Sequence, residues 1–508
     1  MTVNPSPPPH LPLLTAPAAP ARLAGDVRSR RPRVVVVGDA LIDGWLTGPA
    51  HRLGRDAPVP VVEVDSSSTA PGGAANVAAN LAALGADVEL VTVFGDDTDG
   101  RELRAALAAA GVGLGHAVVE LGRATPAKRR LVVAGHAVAR YDTACDSPLR
   151  RSTEAALADA VGAAVPGADA VLVADYGLGV CSERLRRRLA RARRPLLVVD
   201  AHDLAPWAEL HPDAVTPSAA EAAPLLGERV PPADGHRLEW AVARQEALRA
   251  ATGGAEVLLT LDVDGAVRLG DGPPLHRPAG QAAPDACACG AGDTFVAAWT
   301  AARVAGAEPE LALSFAQSAA DVVVALNAVN GPGTAVCSAD ALTARLAATD
   351  RGRVLEHRDL LAALAEHRRA GHRIVFTNGC FDVLHRGHVA YLRQARELGD
   401  VLVVALNGDD SVTRLKGPER PVNPLEDRAG VVGAVDAVDL VTAFHEDTPV
   451  DLIAQVRPDV YAKGGDYTPQ MLPETPVVER LGGQVRVLEY LSDHSTTAIV
   501  ARIRATAG

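Results

Sequence analysis

Aromatic residues are scarce, with Phe, Trp and Tyr making up 3% of 508 positions, and methionine occurs twice. Cysteine is also sparse. The six thiols (Cys145, Cys181, Cys287, Cys289, Cys337 and Cys380) are scattered, and no CxxC pair occurs. Cys287-Ala288-Cys289 is too tight for an ordinary disulfide and lacks partners for a zinc site. A disulfide framework is therefore excluded, and a reducing cytoplasm fits. Positive charge is not in excess. The net charge of −12 repels nucleic acid and anionic membranes, so neither is expected as a partner. No run of about 18 uncharged apolar residues appears, which predicts no membrane span. The N-terminal "MTVNPSPPPHLPLLTAPAAPARLAGDVRSRRPR" places its arginines after its Pro-broken apolar stretches, the wrong order for a secretory signal. Residues 1–31 read as a disordered tail.

What the chain has in quantity is alternation. "RVVVVGDALID" opens with a short apolar run ending in Gly-Asp, as a buried parallel strand does. "VPVVEV" reads as an edge strand because of its prolines. "GGAANVAANLAALGA" reads as a helix, "VELVTVFG" as a strand and "GRELRAALAAAG" as a helix. "ADAVLVADYG", "RPLLVVDAH" and "AEVLLTLDVDGAV" continue the strands, and "GDTFVAAWTAARVAG" is a helix after a Gly-rich turn. Such order predicts an α/β fold, a mostly parallel sheet covered by helices. Its ligand sites lie beyond the carboxyl ends of the strands. Near residues 347–356 the pattern pauses. Helix "HRDLLAALAEHRRAG" follows, and then fresh alternation begins with "RIVFTNG". The expected domains are 32–347 and 372–508, with 348–371 as linker and helix.

In the second domain "TNGCFDVLHRGHVAYL" runs from strand through loop into helix. His385 and His388 stand three apart near a helix N-terminus, on one helical face. Free amides and the positive dipole end favour bound phosphate there, and Gly387 allows close approach. Taken alone, a His pair at this spacing is equally a solvated face. HExxH is absent and no third metal ligand is evident. In the first domain "CGAGDTF" puts Gly290, Ala291, Gly292 and Asp293 at a helix start, a ready phosphate cradle. By itself G-x-G-D is weak, since many turns cap helices with Gly and Asp.

Four separated motifs in the second domain arrive in order: "TNGCFDVLHRGHVAYLRQARELGD", "LKGPERPVNPLEDR", "KGGDY" and "STTAIV". Together they resemble the HxGH nucleotidyltransferases, and more narrowly the adenylyltransferase half of the bifunctional heptose-7-phosphate kinase/heptose-1-phosphate adenylyltransferases. In the first domain "PGGAANVAANLAALGA" and "CGAGDTF" resemble the two signatures of the ribokinase (PfkB) sugar kinases. "VGDALIDGWLTGPAHRLGRDAPVPVVEV" resembles the opening of the heptose kinases.

These resemblances imply a ribokinase-like domain with a small β lid, then a Rossmann-like nucleotidyltransferase domain. ATP is the implied co-substrate of both, with Mg²⁺ offsetting phosphate charge. In the first, Asp39, Asp43, Gly72, Gly73 and Asn76 would bind the sugar. Asp293 would be the base, and the turn Gly290–Gly292 the anion hole. Ser218 and Glu221 stand where the family has Asn-x-x-Glu, with Glu221 reaching Mg²⁺ through water. In the second, His385 and His388 would hold phosphates, helped by Thr377, Asn378, Gly387, Lys416, Lys463 and Ser495–Thr497. Asp382 would lie in the site. Lys128, Arg129, Arg130 and Arg140 offer cations for a sugar phosphate. A homo-oligomer paired through the lid is implied.

Departures also stand in the sequence. Ser218 replaces Asn, Leu178 stands where a Lys is usual after "DYG", and Cys287-Ala288-Cys289 replaces Asp-x-Thr. They leave open a degenerate kinase domain acting as scaffold, and the shared HxGH motif leaves open a cytidylyltransferase for another sugar or polyol phosphate.

Overall fold

The computed structural model describes residues 14–15, 21–55, 57–143, 148–192, 196–232, 236–280, 285–331, 333, 335–350, 353–465 and 468–488. The chain divides into two units, 1–346 and 347–508.

The first unit is built on a nine-stranded sheet. From one edge inward, the strands Asp87–Val91, Arg33–Gly38, Ala170–Asp175, Leu197–Ala201, Ala214–Val215 and Glu256–Thr260 run parallel in that order. The run Val34–Val37 is apolar without alternation because both faces of the sheet are covered and all four side chains are fully buried. "AEVLLTLDVDGAV" turns back on itself, so Ala266–Leu269 pairs antiparallel with Glu256–Thr260. "VELVTVFG" is two strands, Asp87–Val91 and Val93–Gly95, the second pairing with Val118–Glu120. A separate four-stranded lid sheet has the order His136–Thr143, Ala127–Val133, Ala40–Thr47, Ser66–Gly73. "VPVVEV" contributes Pro60–Val62 to a two-stranded ribbon with Ala50–Leu53.

Helix Pro309–Asn330 packs along helix Ala291–Val304. Among the described residues it alone is long and apolar enough to cross a membrane, but 67% of its apolar window is buried within the unit, as befits a core helix.

Residues 1–31 are not wholly a tail. Leu14–Thr15 pairs with Leu275–Arg277 at the sheet edge. Arg22–Arg30 is a helix whose Leu23, Ala24 and Val27 enter the main core. An apolar triplet at helical spacing outweighs the Pro/Ala bias of the surrounding sequence.

The second unit is a six-stranded parallel sheet in the order Val354–Leu355, Leu440–Phe444, Val401–Asn407, Ile374–Gly379, Val460–Gly464, Gln484–Leu488. Segment 348–371, expected as linker and helix, holds a short strand as well as the helix among its described residues. Val354–Leu355 is its edge strand, and helix His357–Arg369 buries Leu360 and Leu364 in its core.

Candidate active sites

The first pocket lies beyond the carboxyl ends of the central strands. It has a volume of about 230 Å³, and its lining includes Tyr176, Asp200, His202, Ser218, Glu221 and Asp293. Gly290 caps helix Ala291–Val304 with φ of 79°, a left-handed conformation that glycine adopts without steric cost. The first amides of that helix have no carbonyl four residues back, so Gly290 and Gly292 present an anion-binding turn to the pocket. Asp293 sits in the same turn. Its Oδ2 accepts from Asn76 Nδ2 at 2.7 Å, and its Oδ1 accepts from the Tyr176 hydroxyl. Burial raises its carboxyl to about 6 against those two bonds. Asp200 is raised further, to about 7, by burial and then by the charge of Asp293.

Asp43 and Gly72 meet where the lid joins the sheet. A Cβ on Gly72 would sit 2.3 Å from the Asp43 carboxylate, so a larger residue there would push the Asp43 side chain aside. Asp43 Oδ1 accepts from Arg130 at 2.7 Å. Arg130 and Arg140 are opposed in the lid ladder. The ammonium of Lys128 lies 5.5 Å from the Tyr176 ring centre. Arg129 faces away and pairs with Asp99 at 2.7 Å.

Asp39, expected at the sugar, is engaged by backbone instead. It is 1% exposed, and its carboxylate accepts three backbone N–H bonds at 3.0 Å, from Tyr176, Leu178 and Val180. It clamps the loop that carries Tyr176. Gly73 ends the lid strand beneath the same loop. Asn76 spends its amide on Asp293, so it fixes that carboxylate.

Ser218 in place of Asn keeps the local geometry. It forms a capping box in which Glu221 Oε2 accepts from the Ser218 amide and hydroxyl, each at 2.8 Å. Glu221 Oε1 is left facing His202 Nε2 at 3.6 Å. Among the described residues no three His, Cys, Asp or Glu cluster as a metal cage. The lone carboxylate oxygen at Glu221 suits a hard cation held by phosphates and water.

The second pocket, of about 140 Å³, is lined by residues that include Asn378, Phe381, His388, Lys416 and Lys463. Strand Ile374–Gly379 ends at it and helix Arg386–Arg396 starts at it, with His385 as N-cap. The His385 and His388 rings stack with centres 3.9 Å apart. Burial, then His385 and Lys416, push His388 down to about 4, so it is neutral at pH 7. Gly387 is buried in the first turn. Lys463 donates to Asn378 Oδ1 at 3.0 Å, and burial lowers its ammonium below the usual lysine range.

Two of the expected residues are bonded within the protein. Thr377 is buried and its hydroxyl bonds to the Tyr391 hydroxyl. Asp382 lines the pocket, but its carboxylate is held by Arg420 at 2.6 Å and by the Val422 amide at 2.6 Å. It fixes the loop after Lys416. Ser495, Thr496 and Thr497 lie outside the described residues.

Arg428 escaped the sequence reading. Its buried guanidinium donates to the carbonyls of Cys380, Asn407 and Asn423 and to Asp409, tying the His-bearing loop to the next strand. The signal was there, since it closes "LKGPERPVNPLEDR".

Residues 31–332 match the pfkB family carbohydrate kinases, and residues 376–502 match the cytidylyltransferase-like family. The Bifunctional protein HldE of Hyphomonas neptunium is 37% identical over 494 residues, covering 95% of this chain and 99% of the relative. The chain belongs to the HldE family. The HldE proteins of Alcanivorax borkumensis and Pseudomonas aeruginosa are each 40% identical, covering 93% of this chain and 97% of their own lengths. Phosphofructokinase-2 from Escherichia coli, solved with substrates and products, shares the fold of the first unit, with TM-score 0.50, 20% identity, 62% of this chain and 98% of that chain covered. Like other HldE proteins, this chain is a bifunctional enzyme, a carbohydrate kinase followed by a nucleotidyltransferase, and ATP is its co-substrate.

Proposed function

We propose that the first unit phosphorylates C1 of D-glycero-β-D-manno-heptose 7-phosphate. The second unit then transfers the adenylyl group of ATP to the derived 1-phosphate, giving ADP-heptose and pyrophosphate. A phosphatase must act in between. The observation that carries this reading is the pairing of two built phosphate sites in one chain. Asp293 stands beside a glycine-led helix start, and the stacked His385 and His388 stand at another.

In the kinase step Asp43, Gly72 and Gly73 hold the sugar. Lys128, Arg130 and Arg140 face its 7-phosphate, and Lys128 supplies the cation that Leu178 does not. Asp293 takes the C1 hydroxyl proton as that oxygen attacks the γ-phosphorus. The amides of Ala291 and Gly292 bind the charge that grows on the transferred group. Mg²⁺, when bound to the nucleotide phosphates near Glu221, neutralises charge.

In the second step the 1-phosphate oxygen attacks the α-phosphorus. Lys416, Lys463, Asn378 and the His pair hold the phosphates, and positioning does the work. Ser495–Thr497 would complete the site at a helix start.

The exposed lid edge, with Leu53, Val59, Val138 and Tyr141 open to solvent, suits pairing with a second copy, and analytical ultracentrifugation should find a dimer. The free thiols at the five described cysteines suit a reducing cytoplasm.

Pyrophosphate release from ATP against CTP, with heptose 1-phosphate and with polyol phosphates, tests the second step. ATP with the heptose should win by at least about tenfold in kcat/KM. A preference for CTP would replace the reading with cytidylyl transfer.

A further inference from the structure

Behind the base stands a group that phosphoryl transfer does not by itself require. The Tyr176 hydroxyl touches two carboxylates at once, Asp293 Oδ1 and, at 3.2 Å, Asp200 Oδ2. A phenol has one proton to donate. Two ionised carboxylates therefore cannot both be satisfied by it, and the cluster is complete only when it holds a further proton. The far oxygen of Asp200 accepts from the Thr216 hydroxyl at 2.8 Å, which fixes the carboxylate in line with the tyrosine. The Asp39 clamp on the Tyr176 amide fixes the ring from behind. Asn76 holds the opposite side of Asp293. All three members line the pocket.

We propose that Tyr176 and Asp200 form a proton relay behind Asp293, carrying the proton of the sugar hydroxyl away from the base after each transfer. This rests on the reading of Asp293 as base.

The step balances as follows. The sugar O–H bond breaks and Asp293 gains the proton. The sugar oxygen forms its bond to the γ-phosphorus, and the bond from that phosphorus to the bridging oxygen breaks, releasing ADP. Asp293 then gives its proton to the phenol oxygen while the phenol proton passes to Asp200. Tyrosine ends neutral, Asp293 ends ionised and Asp200 ends protonated. Burial raises both carboxyls, and the charge of Asp293 raises Asp200 further, so both can hold the proton in turn. Asp200 then loses the proton through the open pocket.

The groups facing Asp293 are Asn76, Tyr176, Asp43, Lys128 and, across the tyrosine hydroxyl, Asp200. Those facing Asp200 are Thr216, Tyr176, Glu221 and Asp293. His202 packs edge-on against Tyr176, with ring centres 5.0 Å apart.

Tyr176 and Asp200 act through Asp293 and are positioning residues, so the test needs readouts that a loss of packing would not give. Tyr176→Phe and Asp200→Asn in the full chain are compared with wild type for ADP release, using heptose 7-phosphate and ATP·Mg. Each should lower kcat by at least about tenfold, within the range of acid–base effects. KM for both substrates should stay within about twofold of wild type. The acid limb of kcat/KM, expected in wild type above the usual carboxylate range because burial raises Asp293, should move in opposite directions. Tyr176→Phe removes a bond that favours ionised Asp293, so its limb shifts to higher pH. Asp200→Asn removes a neighbouring negative charge, so its limb shifts to lower pH. Wild-type kcat in both variants, or limbs moving the same way together with raised KM, would overturn the relay while leaving the kinase intact. A wild-type chain that releases no ADP with the heptose would overturn the substrate reading and the relay together.

Discussion

At the scale of single residues, each activity hangs on a side chain whose chemistry is set by burial. Asp293→Asn keeps the shape and removes the base. Sugar phosphorylation should fall by about 10²–10⁴-fold, while pyrophosphate release by the second unit stays at the wild-type rate; ADP and pyrophosphate assays on one preparation check both. His388 is neutral in the free protein, with its proton lost down to about pH 4. A bound triphosphate restores favourable charge, so its affinity for a proton rises on binding. ATP binding to the second unit near pH 6 should therefore take up protons, and His388→Ala should abolish the uptake. Calorimetry in buffers of different ionisation enthalpy measures this. Residue identity was legible where the chemistry needs one residue type: Asp293, Gly290, His385 and His388 stand where the motifs put them. It did not show that Asp39 and Thr377 spend their polar atoms inside the protein. A buried polar side chain that holds a loop and one that holds a ligand carry the same letter, and only the three amides converging on Asp39 tell them apart.

At the scale of elements, strands flanked by Gly or Asp were readable because an all-apolar run of four to six residues has few other uses. Helix Pro309–Asn330 was not, since it is buried on nearly every side and shows no amphipathic stripe. The Arg22–Arg30 helix was hidden by its Pro/Ala-rich surroundings. The elements of the second unit converge on Arg428, whose side chain is fully buried among three carbonyls and Asp409. Arg428→Met would leave those acceptors without donors. It should destabilise the second unit by about 3–5 kcal/mol, seen as an earlier second-unit transition in urea while the first-unit transition stays in place.

At the scale of the whole molecule, two domains that each bind ATP share one acidic chain, with net charge −12. On the proposed reading, anionic substrates are met by local devices, helix starts and the Lys128, Arg130 and Arg140 face of the lid, and not by the overall field. The order of the domains was readable from their motifs. The place of 348–371 was not, because a helix between two domains looks alike in sequence whether it spans a gap or packs into a core. If the units work independently, an equimolar mixture of Asp293→Asn and His388→Ala chains, given ATP, heptose 7-phosphate and a phosphatase, should make ADP-heptose that neither makes alone. The decisive measurement is mass spectrometry of the products of the wild-type chain and these two variants, each supplied with ATP and either heptose 7-phosphate or heptose 1-phosphate. The wild type should give the 1,7-bisphosphate from the first and ADP-heptose from the second, Asp293→Asn losing only the bisphosphate and His388→Ala only the nucleotide sugar. A wild-type chain that makes neither product, or one substitution that removes both from a folded chain, would contradict the assignment of one reaction to each pocket.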